Sequence, residues 1–371
     1  MAHIIISGGG TGGHIFPAIS IARALQDAGK SIQILFVGAE GRMEMEKVPA
    51  AGYAIKGLPI AGIQRNALWK NVKLPFKILR SLNKASKIIS DFKPDAVVGV
   101  GGYASAPVLW VAQNKGIPTL IQEQNSYAGL SNKLLARRAK KICVAYEGME
   151  RFFKKRKIIF TGNPVRQDLQ NVGNLRSQAL AHFGLDANKK TIVILGGSLG
   201  ARTLNQSVLA HWQKIVATKQ IQVIWQVGKL YEKLIAEQLK NKSIDNIHIV
   251  SFIQRMDYAF AAADLVISRA GAGTISELCV VGKPCILVPS PNVSEDHQTK
   301  NAMALVQKQA AVMVTDTAAP ATLIHTALHL LQDSERLQGL AKNIAALALP
   351  DAAKEIAQKV LQLIDTQGVK K

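Results

Sequence analysis

Gly8, Gly10 and Gly13 stand in GxGxxG spacing, and His14 follows directly. Glycines spaced this way let backbone N–H groups and a helix N-terminus approach an anion closely. A plain turn needs one or two glycines, and residues 8–13 hold five. A histidine beside such a loop, with an ordinary pKa of about 6.5, can accept a proton from a hydroxyl nucleophile or donate a hydrogen bond to a phosphate. Residues 196–202 repeat the arrangement, with Ser198 in the turn, and residues 99–103 with Ser105 make a third glycine turn. Residues 268–277 offer small side chains and then a carboxylate, Glu277, placed to accept from a pair of ribose hydroxyls. Residues 295–298 are polar groups suited to sugar hydroxyls, and residues 122–125 make an unusually polar end to an apolar strand, again on the carboxyl side of the sheet.

The first loop alone also fits an NAD-dependent dehydrogenase, because Glu40 lies roughly where such an enzyme keeps its ribose-binding acid. The clusters of the second half are not required by that chemistry. Three anion-friendly loops exceed what one dinucleotide needs and suit two phosphorylated substrates.

The elements that position these residues follow from hydrophobic pattern. Short apolar runs at 3–7, 32–37, 96–100, 118–122, 141–145 and 157–160 alternate with helix-period segments, which is the form of parallel strands joined by crossover helices. Pro17 marks the expected start of the first helix, whose core face is Ala18, Ile21, Ala22 and Leu25, and Gly29 its stop. After an expected hinge at 161–164 the pattern restarts, with strands at 191–195, 221–226, 247–250, 265–268, 285–288 and 311–314 and a helix presenting Leu204, Val208, Trp212 and Ile215. The expected architecture is α/β: two Rossmann-like, doubly wound domains, residues 1–163 and 164–349, facing a cleft. A terminal helix over 350–371, with Ala353, Ile356, Val360 and Leu363 on one face, is expected to cross back to the first domain. Such sheets bind ligands beyond the carboxyl ends of their strands.

The 371 residues include 46 Lys+Arg against 25 Asp+Glu, a formal net charge of +21 that calls for a polyanionic partner. With 48% hydrophobic and 19% charged residues the chain is too apolar for a disordered basic segment. Aromatics amount to only 5%, and no basic run interleaves with them, so stacking on nucleic acid, the third class considered, is unsupported and no nucleic-acid partner is expected. Cys143, Cys279 and Cys285 lie in apolar runs without ligand spacing and read as buried, reduced thiols. No basic leader precedes residues 4–6, and no run reaches the ~18–20 apolar residues of a spanning helix, so a cytoplasmic location is expected.

Taken together, residues 8–17, 101–103, 123–125 with 128–129, 162–166, 196–202 and 269–277 closely resemble the MurG family of bacterial peptidoglycan glycosyltransferases. The resemblance runs in one order through nearly the whole chain. It implies a GT-B fold and transfer of N-acetylglucosamine from UDP-GlcNAc to lipid I, the undecaprenyl-diphosphate-linked muramoyl-pentapeptide, giving lipid II. Carried onto this sequence, it implies Ser198 at the phosphate and the Ile253 backbone at the uracil. Ala272, Gly273, Thr274, Ile275 and Ser276 would surround the nucleotide, Glu277 would take the ribose and Gln298 the sugar. Thr11, Gly12, Gly13, Asn125 and Arg166 would complete the donor site from across the cleft. Two positions depart from some members: His297 precedes Gln298 where they carry Gln-Gln, and Gly273 replaces a bulky residue. His14 is the candidate base. No acid cluster has metal-ligand spacing, so no protein-held cofactor is expected; a divalent cation could still assist the diphosphate.

One basic segment carries a further expectation. On a helix beginning near Pro75, the wheel places Ile78, Leu82, Ala85 and Ile89 on a core stripe and leaves Phe76 and Leu79 beside Lys77, Arg80 and Lys84. Such an apolar pair next to a basic strip suits an anionic membrane surface. Val72, Lys70 and Lys73 upstream, and the basic run 154–157, would extend the patch. This places the enzyme as a peripheral protein on the cytoplasmic face of the bacterial inner membrane.

Overall fold

The computed structural model of the chain describes residues 1–29, 31–60 and 74–368. Among these, seven parallel strands form the first sheet: β1 (Ala2–Gly8), β2 (Ile32–Ala39), β3 (Ala54–Leu58), β4 (Ala96–Gly101), β5 (Thr119–Glu123), β6 (Lys141–Val144) and β7 (Ile158–Phe160). Six form the second: β8 (Lys190–Leu195), β9 (Ile221–Gln226), β10 (Ile247–Val250), β11 (Leu265–Ser268), β12 (Cys285–Leu287) and β13 (Val312–Met313). The strand orders are β3-β2-β1-β4-β5-β6-β7 and β10-β9-β8-β11-β12-β13. In each sheet the chain first winds one way and then returns to wind the other, so the order reverses between β1 and β4 and between β8 and β11. At such a switch point the loops leaving adjacent strands splay to opposite faces and leave room for a ligand.

Both faces of each sheet are covered, which is why the strands read as unbroken apolar runs. Ile4 and Ile6 enter one core cluster and Ile5 the other. Ile192 and Ile194 likewise part from Val193 and Leu195. One compact unit comprises residues 1–165 with 349–371, and the other residues 166–348. The helix Ala352–Gly368 belongs to the first unit, where Ala353, Ile356, Ala357 and Val360 are buried beside the helix Gly12–Asp27. No helix among the described residues is long and apolar enough to cross a membrane.

Three expectations are corrected, and the expected hinge is placed more closely. The first helix begins at Gly12 rather than near Pro17, which lies inside it. Pro17 forfeits one helical bond there, to the carbonyl of Gly13, the second residue of the helix. The short edge strand β3, with sequence AIKGL, was not anticipated, since its Lys and Gly break the apolar alternation. The segment 161–164, the expected hinge, falls just before the division of the units at 165/166, and it is anchored in the first unit: Thr161 and Asn163 are buried, and Asn163 Oδ1 accepts from Gln122 Nε2 at 2.8 Å. Ile78 leaves the core stripe. In the helix Leu74–Phe92 the buried positions are Ser81, Ala85, Ile88 and Ile89, because only its later turns cover the sheet, and Ile78 is 42% exposed.

Candidate active site

In the first unit the glycine turns after β1 and β4 flank the switch point. Gly102 shows why glycine is required: its φ is +84°, and a Cβ there would lie 2.2 Å from the Gly9 carbonyl oxygen. Thr11 caps the helix Gly12–Asp27 in an extended conformation, which puts Gly12, Gly13 and His14 in the first turn. The first N–H groups of a helix lack an intrahelical acceptor and serve anions; here the His14 N–H is given to the Thr11 carbonyl at 3.1 Å, so the anion-facing amides are those of Gly12 and Gly13. Thr11 Oγ1 lies 3.1 Å from His14 Nδ1, so the hydroxyl orients the imidazole. The ring packs against Gly101, where a Cβ would come within 2.9 Å of Nε2.

Two carboxylates shape these loops without entering them, and neither was assigned a role from sequence. Glu44, 1% exposed on the helix Glu44–Ala50, accepts from Gly10 N–H through Oε2 and from Ala39 N–H through Oε1, both at 3.0 Å. Gly10's amide is thereby committed inward, leaving anion contact to the helix start. Glu123, at the end of β5, accepts from Asn125 N–H at 3.1 Å, Gly129 N–H at 3.0 Å and Asn132 Nδ2 at 2.8 Å. It thereby fixes the loop that carries Asn125.

The second unit repeats the arrangement between β8 and β11. Gly200, with φ +91°, lets the turn bearing Ser198 pass the Val227 carbonyl, to which a Cβ would approach within 2.3 Å. Ser198 is exposed in that turn. Gly271 caps the helix Ala272–Val281, and Ala272, Gly273 and Thr274 make its first turn. Ile275 turns its side chain into the core and gives its N–H to the Gly271 carbonyl at 3.0 Å, and Ser276 Oγ donates to the Ala272 carbonyl at 3.0 Å. Ile253 N–H is taken by Gln226 Oε1 at 3.1 Å, which leaves the Ile253 carbonyl for a ligand. Gln298 Oε1 accepts from Ser290 N–H at 2.8 Å, which leaves its amide nitrogen to donate.

Arg166, which the resemblance groups with the residues reaching the donor site from across the cleft, belongs to the second unit, as the expected bounds 164–349 have it, and its Nε donates to Glu277 Oε1 at 3.1 Å. Burial raises the Glu277 pKa, and Arg166 opposes that rise. Glu40, the acid considered for a dehydrogenase, is ion-paired with Lys84 at 2.7 Å. That pairing also removes Lys84 from the free basic strip. Val72, Lys70 and Lys73 lie outside the described residues. In the basic run 154–157, Lys157 is spent on the carbonyls of Ala136 and Arg137, at 3.1 and 2.8 Å. Phe76 and Leu79 are 72% and 58% exposed. The three cysteines are buried free thiols, and burial pushes Cys143 and Cys279 to about 12, well away from thiolate chemistry. Among the described residues no three His, Cys, Asp or Glu side chains group to hold a metal ion.

Residues 4–144 match the glycosyltransferase family 28 N-terminal domain, and residues 191–356 match the glycosyltransferase family 28 C-terminal domain. The chain belongs to glycosyltransferase family 28. One member of similar sequence is the UDP-N-acetylglucosamine–N-acetylmuramyl-(pentapeptide) pyrophosphoryl-undecaprenol N-acetylglucosamine transferase of Bacteroides fragilis, 59% identical over 97% of this chain and 95% of the relative. The Parabacteroides distasonis protein of the same name is 58% identical over 98% of both chains. Among solved structures, Acinetobacter baumannii MurG superposes with a TM-score of 0.76 at 28% identity, over 98% of this chain and all of that one. A Neisseria meningitidis UDP-GlcNAc 2-epimerase shares the fold alone, with a TM-score of 0.68 at 16% identity, over 98% of this chain and all of that one. The family 28 fold is GT-B, and both Gly-rich turns belong to it rather than to a dehydrogenase.

Proposed function

We propose that this chain is the hexosyltransferase that moves N-acetylglucosamine from UDP-GlcNAc to the 4-hydroxyl of the muramoyl-pentapeptide of lipid I, forming lipid II with a β1,4 linkage. The observation that carries this reading is the 59% identity, through 97% of the chain, to a transferase named for that reaction.

The second unit supplies the donor site. Ser198 and the helix start at Ala272 meet the diphosphate and nucleotide, the Ile253 carbonyl meets the uracil, Glu277 the ribose diol and Gln298 the sugar. Arg166, drawn beside Glu277, adds positive charge for the departing UDP. The first unit supplies Thr11, Gly12, Gly13, Asn125 and the base. As the acceptor oxygen bonds to the anomeric carbon, the bond from that carbon to the diphosphate breaks and UDP leaves with the electron pair. The hydroxyl proton passes to His14 Nε2, which is a base only when Nδ1 carries the other proton and donates it to Thr11 Oγ1. Fixed donors at developing charge contribute roughly 3–4 kcal/mol each in comparable sites. The charge is met without a protein-held metal, and a divalent ion accompanying the diphosphate is compatible with it.

Phe76 and Leu79 with Lys77 and Arg80, joined by the exposed Ile78, rest on the anionic cytoplasmic surface of the membrane that carries the acceptor. Each cation there contributes about 1 kcal/mol. Nucleic acid has no part in this reading. A thermal-shift comparison tests the donor site: UDP-GlcNAc at 100 times its Kd should stabilise the fold by about 2.7 kcal/mol. Stabilisation by NADH, with no response to UDP-GlcNAc, would overturn the reading in favour of a dehydrogenase.

A further inference from the structure

The loops that leave the carboxyl ends of β8, β11, β12 and β13 are braced by one carboxylate. Asp316 lies just beyond β13, and its Oδ2 accepts from Thr203 Oγ1 at 3.0 Å. Thr203 is the second residue of the helix Arg202–Ala217, which follows the Ser198 turn. The other oxygen of Asp316 accepts from Arg269 Nη1. That nitrogen also reaches the Val288 carbonyl at 3.1 Å and the Pro289 carbonyl at 3.3 Å, beyond β12. Arg269 itself stands two residues before Gly271, the cap of the helix that bears Ala272 to Glu277. The Arg269 and Asp316 side chains are only 20% and 22% exposed.

We infer that Asp316 is a positioning residue for the UDP-sugar. The inference rests on the donor-site reading above. Asp316 touches none of the groups assigned to substrate, yet it ties together the two helix starts that flank the β8/β11 switch point. One of these starts follows the turn aimed at the phosphate and the other surrounds the nucleotide. A largely buried ion pair contributes little net stability after desolvation, but it holds its partners in one geometry. Hydroxyl, carboxylate and guanidinium here form a single chain of bonds, so loosening any link widens the grip on the nucleotide and leaves the acceptor's half of the machinery untouched.

The test uses the full chain with UDP-GlcNAc and a soluble lipid I analogue. Asp316→Asn removes the charge, Thr203→Val removes only the hydroxyl, and Thr203→Ser restores it. A hydrogen bond to a charged group is worth enough to raise the KM for UDP-GlcNAc about tenfold in Asp316→Asn and a few-fold in Thr203→Val. Thr203→Ser should match the parent, and the acceptor KM should stay within about twofold throughout. If Asp316→Asn does not fold, the Val and Ser variants of Thr203 decide alone. A UDP-GlcNAc KM unchanged in Thr203→Val and in any folded Asp316→Asn, or donor and acceptor KM rising together, overturns the inference. A parent with no saturable dependence on UDP-GlcNAc overturns the donor-site reading itself.

Discussion

Arg166 Nε donates to Glu277 Oε1 at 3.1 Å, on side chains 32% and 19% exposed. Burial raises the Glu277 pKa above its ordinary 4.5, and Arg166 pulls it part of the way back. The folded chain therefore holds the proton more tightly than the unfolded one. The stability tied to this group is fully present below the unfolded value and is lost as pH rises through the raised folded value. Glu277→Gln removes that loss. Its melting temperature relative to the parent should be more favourable near about pH 7.5 than near about pH 4, by scanning calorimetry at both. The same variant should raise the KM for UDP-GlcNAc, since a neutral amide is a weaker acceptor for the ribose diol. A relative melting temperature independent of pH would show that the carboxylate is not held in this way.

Thr11 and His14 should separate in kinetics. His14→Ala should lower kcat by about 10² to 10⁴ and leave the KM for UDP-GlcNAc nearly unchanged. Thr11→Val should also lower kcat, by releasing the imidazole from its present orientation and removing the acceptor that favours the Nδ1–H tautomer a base at Nε2 requires. Near-normal turnover in His14→Ala would remove it as the base.

Much of this was legible in the residues. The repeated unit of apolar run, glycine turn and amphipathic helix at Ile4–Ile5–Ile6 and again at Ile192–Val193–Ile194 is a local pattern, and both copies fold as the pattern implies. Long-range roles were not legible. Glu44 and Glu46 lie two residues apart in one helix, and only the fold decides that Glu44 is buried under the glycine turn while Glu46 stays exposed. Asp316 was invisible for the same reason, since its partners are 113 and 47 residues away. The wheel of the helix Leu74–Phe92 failed at Ile78 because periodicity gives the face of a helix but not how far along its length the sheet covers it.

Glu44 yields a stability prediction. Glu44→Ala strands the N–H groups of Gly10 and Ala39, and a buried unpaired donor costs about 1–3 kcal/mol. The variant should melt several degrees below the parent. An unchanged melting temperature would mean that the glycine turn does not depend on this carboxylate.

Membrane association should depend on charge and apolar contact together. The parent should sediment with anionic vesicles and release as salt rises. Lys77→Glu with Arg80→Glu should weaken binding by about 1 kcal/mol or more per cation. Phe76→Ser with Leu79→Ser should weaken it at every salt concentration. Transfer to a soluble acceptor should persist in both double variants. Equal sedimentation of variants and parent would assign the strip to another surface.

The most direct measurement follows radiolabelled N-acetylglucosamine from UDP-GlcNAc into a lipid I analogue, with the linkage of the product determined. Label in a β1,4-linked disaccharide on the lipid, with stoichiometric release of UDP, is the predicted result. UDP-GlcNAc that binds without transferring, or label in an α-linked product, would contradict the account.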